Sequence, residues 1–300
     1  MQRVLVTGAT GFIGKHTLPI LVSKGFEVHA ISSKPVQSDN NYIWHQADLL
    51  KINELEDLLA QVSPSHLLHF AWYSEPKKYW TSPKNLQWLQ SGLNLLEGFK
   101  KNGGKRAVFA GTCAEYEWKF AKYIENITPL NPSTLYGTCK HSLQTILDAY
   151  CRETRLSSAW GRIFFLYGPG EHPDRLVSFV IRSLLQDKIT PCSKGEQLRD
   201  FLYVEDIASA FVSVLESNVV GPVNIGSGKT LTVKDLVRII CEKVGKHDLI
   251  KFGNLATPPG DPQELVADIT KLTKKVGWAP KYDLDSGIEK TIHWWRKKLS

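Results

Sequence analysis

The sequence predicts an α/β fold: a doubly wound parallel sheet covered by helices on both faces, with a smaller C-terminal lobe. Three observations predict it. Short apolar runs alternate with longer amphipathic ones through the first half of the chain, the rhythm of βαβ units. A glycine-rich turn joins the first apolar run to the first amphipathic one. After Tyr167-Gly168-Pro169-Gly170 the texture changes to loops, short helices and prolines.

The elements follow in order. Arg3 to Thr7 is a short apolar strand ending at a glycine, and a helical pattern runs from there through Leu21 and Val22 to Gly25. Pro19 lies inside that helix and should kink it or remove one hydrogen bond. Phe26 to Ile31 is the second strand and Tyr42 to Trp44 a weaker third. Ile52 to Val62 has the apolar spacing of an amphipathic helix. His66 to Ala71 is a strand, Asn85 to Lys101 a long helix and Arg106 to Gly111 another strand. A helix from Thr134 to Arg155 and an apolar strand from Ser157 to Phe165 complete the first half. Pro222 to Ile225 is strand-like, and Pro258-Pro259-Gly260-Asp261-Pro262 is irregular. The expected division is a first domain over 1–165, to which 200–226 returns, and a smaller lobe from 166–199 and 227–300. Trp294 and Trp295 in the terminal helix should pack against that lobe.

Composition narrows the class. The chain has 300 residues, 42% hydrophobic and 22% charged, ordinary values for a soluble globular protein. No apolar run approaches the ~20 residues that span a bilayer. Its start, MQRVLVTG, runs straight into a strand and does not resemble a signal peptide. Cytoplasmic residence and no membrane partner are the expectation. The five cysteines form no CxxC pair and no metal spacing, so free thiols and no metal are expected. His172 has no partner histidine at ligand spacing. The net charge of +7 fits a solvated basic surface or a small anionic ligand. The cations form no long tract and do not interleave with aromatics, so no nucleic acid is expected.

Val6-Thr7-Gly8-Ala9-Thr10-Gly11-Phe12-Ile13-Gly14 lies where a dinucleotide-binding turn belongs, after a strand and opening a helix. Gly8 allows the tight turn, Gly11 lets backbone approach a pyrophosphate, and Gly14 lets the helix sit close on the sheet. Thr10, Phe12 and Ile13 belong to the same cradle, and the helix N-terminus offers amides and a positive dipole to the phosphates. This is the signature of a Rossmann-type fold. The second strand ends Ile31-Ser32-Ser33-Lys34, with no acid to hold a free ribose hydroxyl. That pattern prefers NADP(H), with NAD(H) possible; Lys34 is otherwise a solvated loop lysine. Asp48 and Leu49 are placed for an adenine contact, or Asp48 caps the helix at Ile52. Ala71, ending the fourth strand, completes the expected cofactor contacts.

Tyr136 and Lys140 in YGTCK stand one helical turn apart. That spacing alone fits either packing or a proton donor with a charge beside it. TGATGFIG, YGTCK, Arg199-Asp200-Phe201-Leu202-Tyr203-Val204-Glu205-Asp206 and Asn224-Ile225-Gly226-Ser227-Gly228 occur in one order along nearly the whole chain. Together they resemble the extended short-chain dehydrogenase/reductase family, the nucleotide-sugar epimerases, dehydratases and reductases. The resemblance implies that Tyr136 is the catalytic acid/base and Lys140 its partner, which favours the phenolate and meets the nicotinamide ribose. It implies that Thr112 polarises the substrate oxygen, and that the smaller lobe binds substrate.

Dehydratases of the family carry an Asp-Glu pair after that Ser/Thr, but Cys113 and Ala114 stand here, so dehydration is not expected. Glu115 comes one position late and is at best a substrate-hydroxyl contact or a supporting group. The resemblance places Arg199 on the substrate diphosphate and Arg175 there or on the nucleoside; surface ion pairs with Asp200 and Asp174 are the other reading. Trp72 and Tyr73 either wall the sugar site or belong to the core. A homodimer through the helix at Asn85 to Lys101 and the helix bearing Tyr136 is also implied. The implied function is NADPH-dependent reduction of a nucleotide-linked 4-keto-6-deoxyhexose. A 4-epimerase with tightly held NAD is the alternative. A non-catalytic dinucleotide sensor or RNA-binding protein is an alternative of another class.

Overall fold

The computed structural model describes residues 2–37, 41–257 and 260–300. Its strands are β1 (Arg3–Thr7), β2 (Glu27–Ser32), β3 (Ile43–Gln46), β4 (His66–His69), β5 (Arg106–Thr112), β6 (Lys122–Tyr123), β7 (Ser157–Ile163), β8 (Phe165–Tyr167), β9 (Thr190–Pro191), β10 (Leu198–Arg199), β11 (Phe201–Tyr203), β12 (Gly221–Ile225), β13 (Leu231–Thr232), β14 (Ile250–Lys251) and β15 (Glu264–Ala267). Its helices are α1 (Gly14–Ser23), α2 (Ile52–Val62), α3 (Lys84–Lys101), α4 (Leu135–Thr154), α5 (Leu176–Leu185), α6 (Val204–Glu216), α7 (Val233–Val244), α8 (Thr270–Lys274) and α9 (Leu284–Leu299). Pro258 and Pro259 of the expected irregular stretch lie outside the described residues.

Seven strands form one parallel sheet in the order β12-β7-β5-β4-β1-β2-β3. Strands buried on both faces must be apolar throughout, and Val4, Leu5 and Val6 of β1 are all fully buried. Leu18 and Leu21 of α1 and Phe211 and Leu215 of α6 cover one face. Leu55 and Leu59 of α2, Leu95 and Phe99 of α3, and Leu143 and Leu147 of α4 cover the other. The order reverses between β1 and β4, so the segments after them leave toward opposite faces. That divergence opens a crevice at the carboxyl ends of the strands, where such sheets bind ligands. α1 runs unbroken through Pro19, because one missing N–H does not end a helix whose apolar face is packed.

The expected strand from Ser157 to Phe165 divides at Phe164. β7 pairs with β12, whereas β8 pairs with β11 in a separate ladder. The Phe164 amide donates to Ile225 O at 3.1 Å and the Phe165 amide to Asp200 O at 3.1 Å, so the chain changes partner within one residue. An apolar run does not reveal which neighbour each residue meets. α6, which follows β11, packs its apolar face in the cluster on the main sheet. α5, α7 and α9 form a separate apolar cluster in which Trp295 is buried and Trp294 partly so. Among the described residues no helix is long and apolar enough to cross a membrane.

Candidate active site

The glycine turn lies at the mouth of the crevice. Gly8 has φ +65°, and a Cβ on it would lie 2.8 Å from the Ala71 amide nitrogen. A Cβ on Gly14 would lie 2.2 Å from Gly8 O, so only glycine lets α1 start this close to β1. Thr10 and Gly11 are exposed and Phe12 and Ile13 half-buried. Ile13 caps α1 without a side-chain bond, and in the first turn the Lys15 and His16 amides donate to Gly11 O at 3.2 Å and Ile13 O at 3.0 Å. Ala71 N–H donates to Thr7 Oγ1 at 3.3 Å, tying the end of β4 to the end of β1. These features fit a dinucleotide: the cradle is made of backbone, and side chains would fill it. Gly14→Ala is expected to cost about 1–3 kcal/mol by overpacking and to abolish stabilisation by nicotinamide nucleotides in thermal unfolding. Undiminished stabilisation would place the dinucleotide elsewhere.

At the end of β2, Ser32 is buried and its Oγ accepts from Lys34 N–H at 3.1 Å, while Ser33 and Lys34 are exposed. Asp48 Oδ1 accepts from Leu50 N–H at 3.0 Å and braces the turn before α2. The cap of α2 is Lys51, so the helix-cap reading of Asp48 does not hold. Leu49 is buried and its carbonyl accepts from Ser91 Oγ at 2.7 Å.

Thr112 ends β5 and is buried. Its amide donates to Glu115 Oε1 at 2.7 Å, and its Oγ1 accepts from Ala114 N–H at 3.2 Å. The Thr112 side chain lies beside the Tyr136 phenol and favours its ionised form. Thr134 caps α4 by accepting from Gly137 N–H at 3.1 Å. A Cβ on Gly137 would lie 2.4 Å from Ala114 O, so this glycine lets the first turn of α4 press onto the turn at Cys113–Glu115. That contact brings Tyr136 to Thr112.

Lys140, one helical turn on, is buried and donates to Ala110 O at 2.8 Å. Burial pushes its ammonium down to about 7, with the Glu115 carboxylate acting the other way. Burial also raises the Tyr136 phenol above its usual value, the Thr112 hydroxyl opposing it. Burial is thus the larger influence on the phenol here and acts against the phenolate that the lysine is expected to favour.

Around the phenol stand three rings, of which the sequence singled out only Trp72. Tyr79, Trp80 and Trp72 have centroids 4.9, 5.7 and 6.5 Å from that of Tyr136, all near edge-on. Tyr136 N–H donates to Trp80 O at 3.1 Å, and Trp118 lies 6.0 Å beyond Trp80. The aromatic density of Trp72 to Trp80 was the available signal. Tyr73 is not part of this group; its hydroxyl donates to Glu75 at 2.8 Å and Lys84 lies over its ring.

Glu115 touches no open space. It is fully buried, accepts from Trp160 Nε1 at 2.9 Å and pairs with Arg162 Nε at 2.7 Å. The substrate-hydroxyl reading of this residue is therefore replaced by a supporting one. Cys113 and Ala114 are buried, and burial pushes the Cys113 thiol up to about 12.

Arg199 is buried and pairs with Asp261 at 2.7 Å, not with Asp200. Asp200 instead accepts from the amides of Ser227, Gly228 and Ala267 at 2.6–3.1 Å, which joins two of the motifs that lie far apart in sequence. Arg175 lies with its guanidinium 5.2 Å from the Tyr79 centroid, one ring removed from Tyr136. Neither arginine forms the surface ion pair considered for it.

The model of the NAD dependent epimerase/dehydratase family matches residues 4–226. The chain belongs to this family. A UDP-glucuronic acid decarboxylase 1 from Xenopus tropicalis is 31% identical over 99% of this chain and 73% of its own length. The UDP-glucuronic acid 4-epimerase of Bacillus cereus, solved with UDP-glucuronic acid and NAD, superposes with a TM-score of 0.88, 25% identity and full coverage of both chains. The Thermus thermophilus UDP-glucose 4-epimerase, solved with NAD, has a TM-score of 0.85 and 27% identity over 98% of this chain and 99% of that one. As a member of the epimerase/dehydratase family this chain is an enzyme.

Proposed function

We propose that the protein is an oxidoreductase acting at C4 of a nucleotide-linked hexose, and that its reaction is NADPH-dependent reduction of a 4-keto-6-deoxy sugar. The observation that carries this reading is a buried Tyr136 phenol beside Thr112, with no free carboxylate in the adjoining turn Cys113–Glu115. Cys113 and Ala114 are buried where a dehydratase needs acids, and Glu115 is committed to Arg162 and Trp160.

When bound, a reduced nicotinamide would supply the hydride that reduces the C4 ketone. The residues of the chain do the rest. Thr112 Oγ1, its lone pair engaged by Ala114 N–H, is free to donate to the sugar oxygen. Tyr136 Oη transfers its proton to that oxygen as negative charge develops there. The Lys140 ammonium stabilises the phenolate left behind until solvent returns a proton. Tyr79, Trp80 and Trp118 exclude water from one side of the phenol.

The exposed Ser33 and Lys34 support the NADP preference, since no carboxylate there repels a 2′-phosphate. The expected result is a kcat/KM for NADPH at least about tenfold above that for NADH, a difference of about 1.4 kcal/mol, with Ser33→Asp reversing it. Equal or opposite preference in the unchanged protein sinks the NADP assignment.

A second reading, 4-epimerisation with retained NAD, is favoured by the NAD complexes of the two epimerase structures. Extraction of the purified protein separates the two. Stoichiometric NAD, with interconversion of UDP-hexoses and no net consumption of cofactor, replaces the reductase reading.

A further inference from the structure

Lys140 is buried, and the acid that acts on it, Glu115, is already paired with Arg162 at 2.7 Å. What lies over its ammonium is an indole. Nζ is 3.8 Å from the centroid of Trp72. The indole is bracketed in place: Nε1 donates to Asn85 Oδ1 at 2.8 Å. Asn85 is fully buried, and its Nδ2 donates to Tyr79 O at 2.7 Å and Ser82 O at 2.9 Å. Every polar group in this bracket is therefore satisfied, and the ring has little freedom to leave the lysine. The same ring meets Tyr136 edge-on at 6.5 Å.

Burial opposes a charged ammonium, and a π face at this distance favours it, the more so where water is excluded. Three titratable groups face or flank the ammonium. Glu115, from the turn after β5, favours its charge. His69, at the end of β4, is kept neutral by burial, its imidazole pushed down to about 3, and so adds no repulsion. Tyr136, on the same helix, is held protonated by its own burial.

We propose that Trp72 is a positioning residue for the catalytic lysine, its indole face holding the Lys140 ammonium in the charged form and fixed against β5 beside Tyr136. Sequence spacing offered Trp72 only as a wall of the sugar site or as core. The inference assigns it instead to the lysine. Only its kinetic consequence rests on the C4 oxidoreductase reading.

The charged form is present below the lysine pKa and lost as pH rises through it. Removal of the π face should therefore lower the titration midpoint by about half to one and a half pH units, given the usual strength of such contacts. The test is an NMR titration of the apo protein carrying lysine labelled at Cε, with the Lys140 signal assigned by its loss in Lys140→Met. Trp72→Leu should titrate lower by that amount. Trp72→Phe should fall between Trp72→Leu and the unchanged protein. Tryptophan at position 72 carrying one, two or three ring fluorines should titrate progressively lower, because fluorine drains the π face while keeping its shape. If Trp72→Leu does not fold, the fluorinated series decides alone. The same midpoint throughout that series overturns the proposal, whatever the reaction. With a 4-keto nucleotide sugar, the alkaline limb of kcat should move by the same amount, with KM for the dinucleotide little changed. A shifted titration without turnover would leave the role of Trp72 standing and remove the reductase reading.

Discussion

Tyr136→Phe should reduce turnover by about 10²- to 10⁴-fold, the usual contribution of a positioned proton donor, and leave dinucleotide affinity within about twofold. The substitution removes one oxygen and keeps the ring, whose edges meet Tyr79, Trp80 and Trp72. The aromatic packing therefore survives, and the loss reports on proton transfer rather than on folding. The backbone bond from Tyr136 N–H to Trp80 O is also unaffected. The measurement pairs single-turnover hydride transfer with calorimetric titration of the dinucleotide. Turnover within threefold of the unchanged enzyme would remove Tyr136 from the chemistry. A parallel loss of dinucleotide binding would instead show that the phenol serves the cofactor site.

Glu115→Ala should destabilise the protein by about 3–5 kcal/mol, the cost of stranding one member of a buried ion pair. Glu115 and Arg162 are 0% and 1% exposed, so neither the guanidinium nor the freed Trp160 Nε1 can turn to solvent. The Thr112 amide loses its acceptor as well. Denaturant unfolding at neutral pH checks the magnitude, read as a lower midpoint at unchanged slope. The double change Glu115→Leu, Arg162→Leu should recover most of the loss, since no charge is then left unpaired. A loss under about 1 kcal/mol for the single change would mean that water reaches this site. The effect on catalysis is separate: a misplaced Thr112 lowers kcat even where the protein remains folded.

These two residues differ in how they could be read. Tyr136 was singled out by a motif of the family, YGTCK, whose features are local. It stands one helical turn before Lys140, follows a capping threonine and is succeeded by Gly137, which the close contact with Ala114 requires. Glu115 was not legible. Its partners Trp160 and Arg162 lie 45 and 47 residues away, and no spacing near Glu115 distinguishes it from a surface acid or a substrate contact. Trp72 illustrates the same limit. A tryptophan after a strand suits a core or a sugar wall equally well. Its place over Lys140 depends on where α4 lies against β4 and β5, and on Asn85 at the start of α3.

The ion-pair alternative for Arg199 fails for a related reason. Neighbours in sequence invited pairing of Arg199 with Asp200. In an extended strand, successive side chains point to opposite faces. Arg199 accordingly meets Asp261, while Asp200 turns to the backbone around Ser227 and Ala267.

The sequence by itself determined the βαβ order and the glycine turn, and its resemblance to a known family singled out Thr112, Tyr136 and Lys140. The order and the turn depend on backbone periodicity and on glycines that no other residue can replace, and such constraints act over a few residues. The tertiary structure alone decided what surrounds that set: the buried carboxylate behind Thr112, the indole over Lys140 and the rings about the phenol. Those contacts join segments far apart in the chain, and their strength comes from a shared exclusion of water that exists only once the sheet and helices have closed around them.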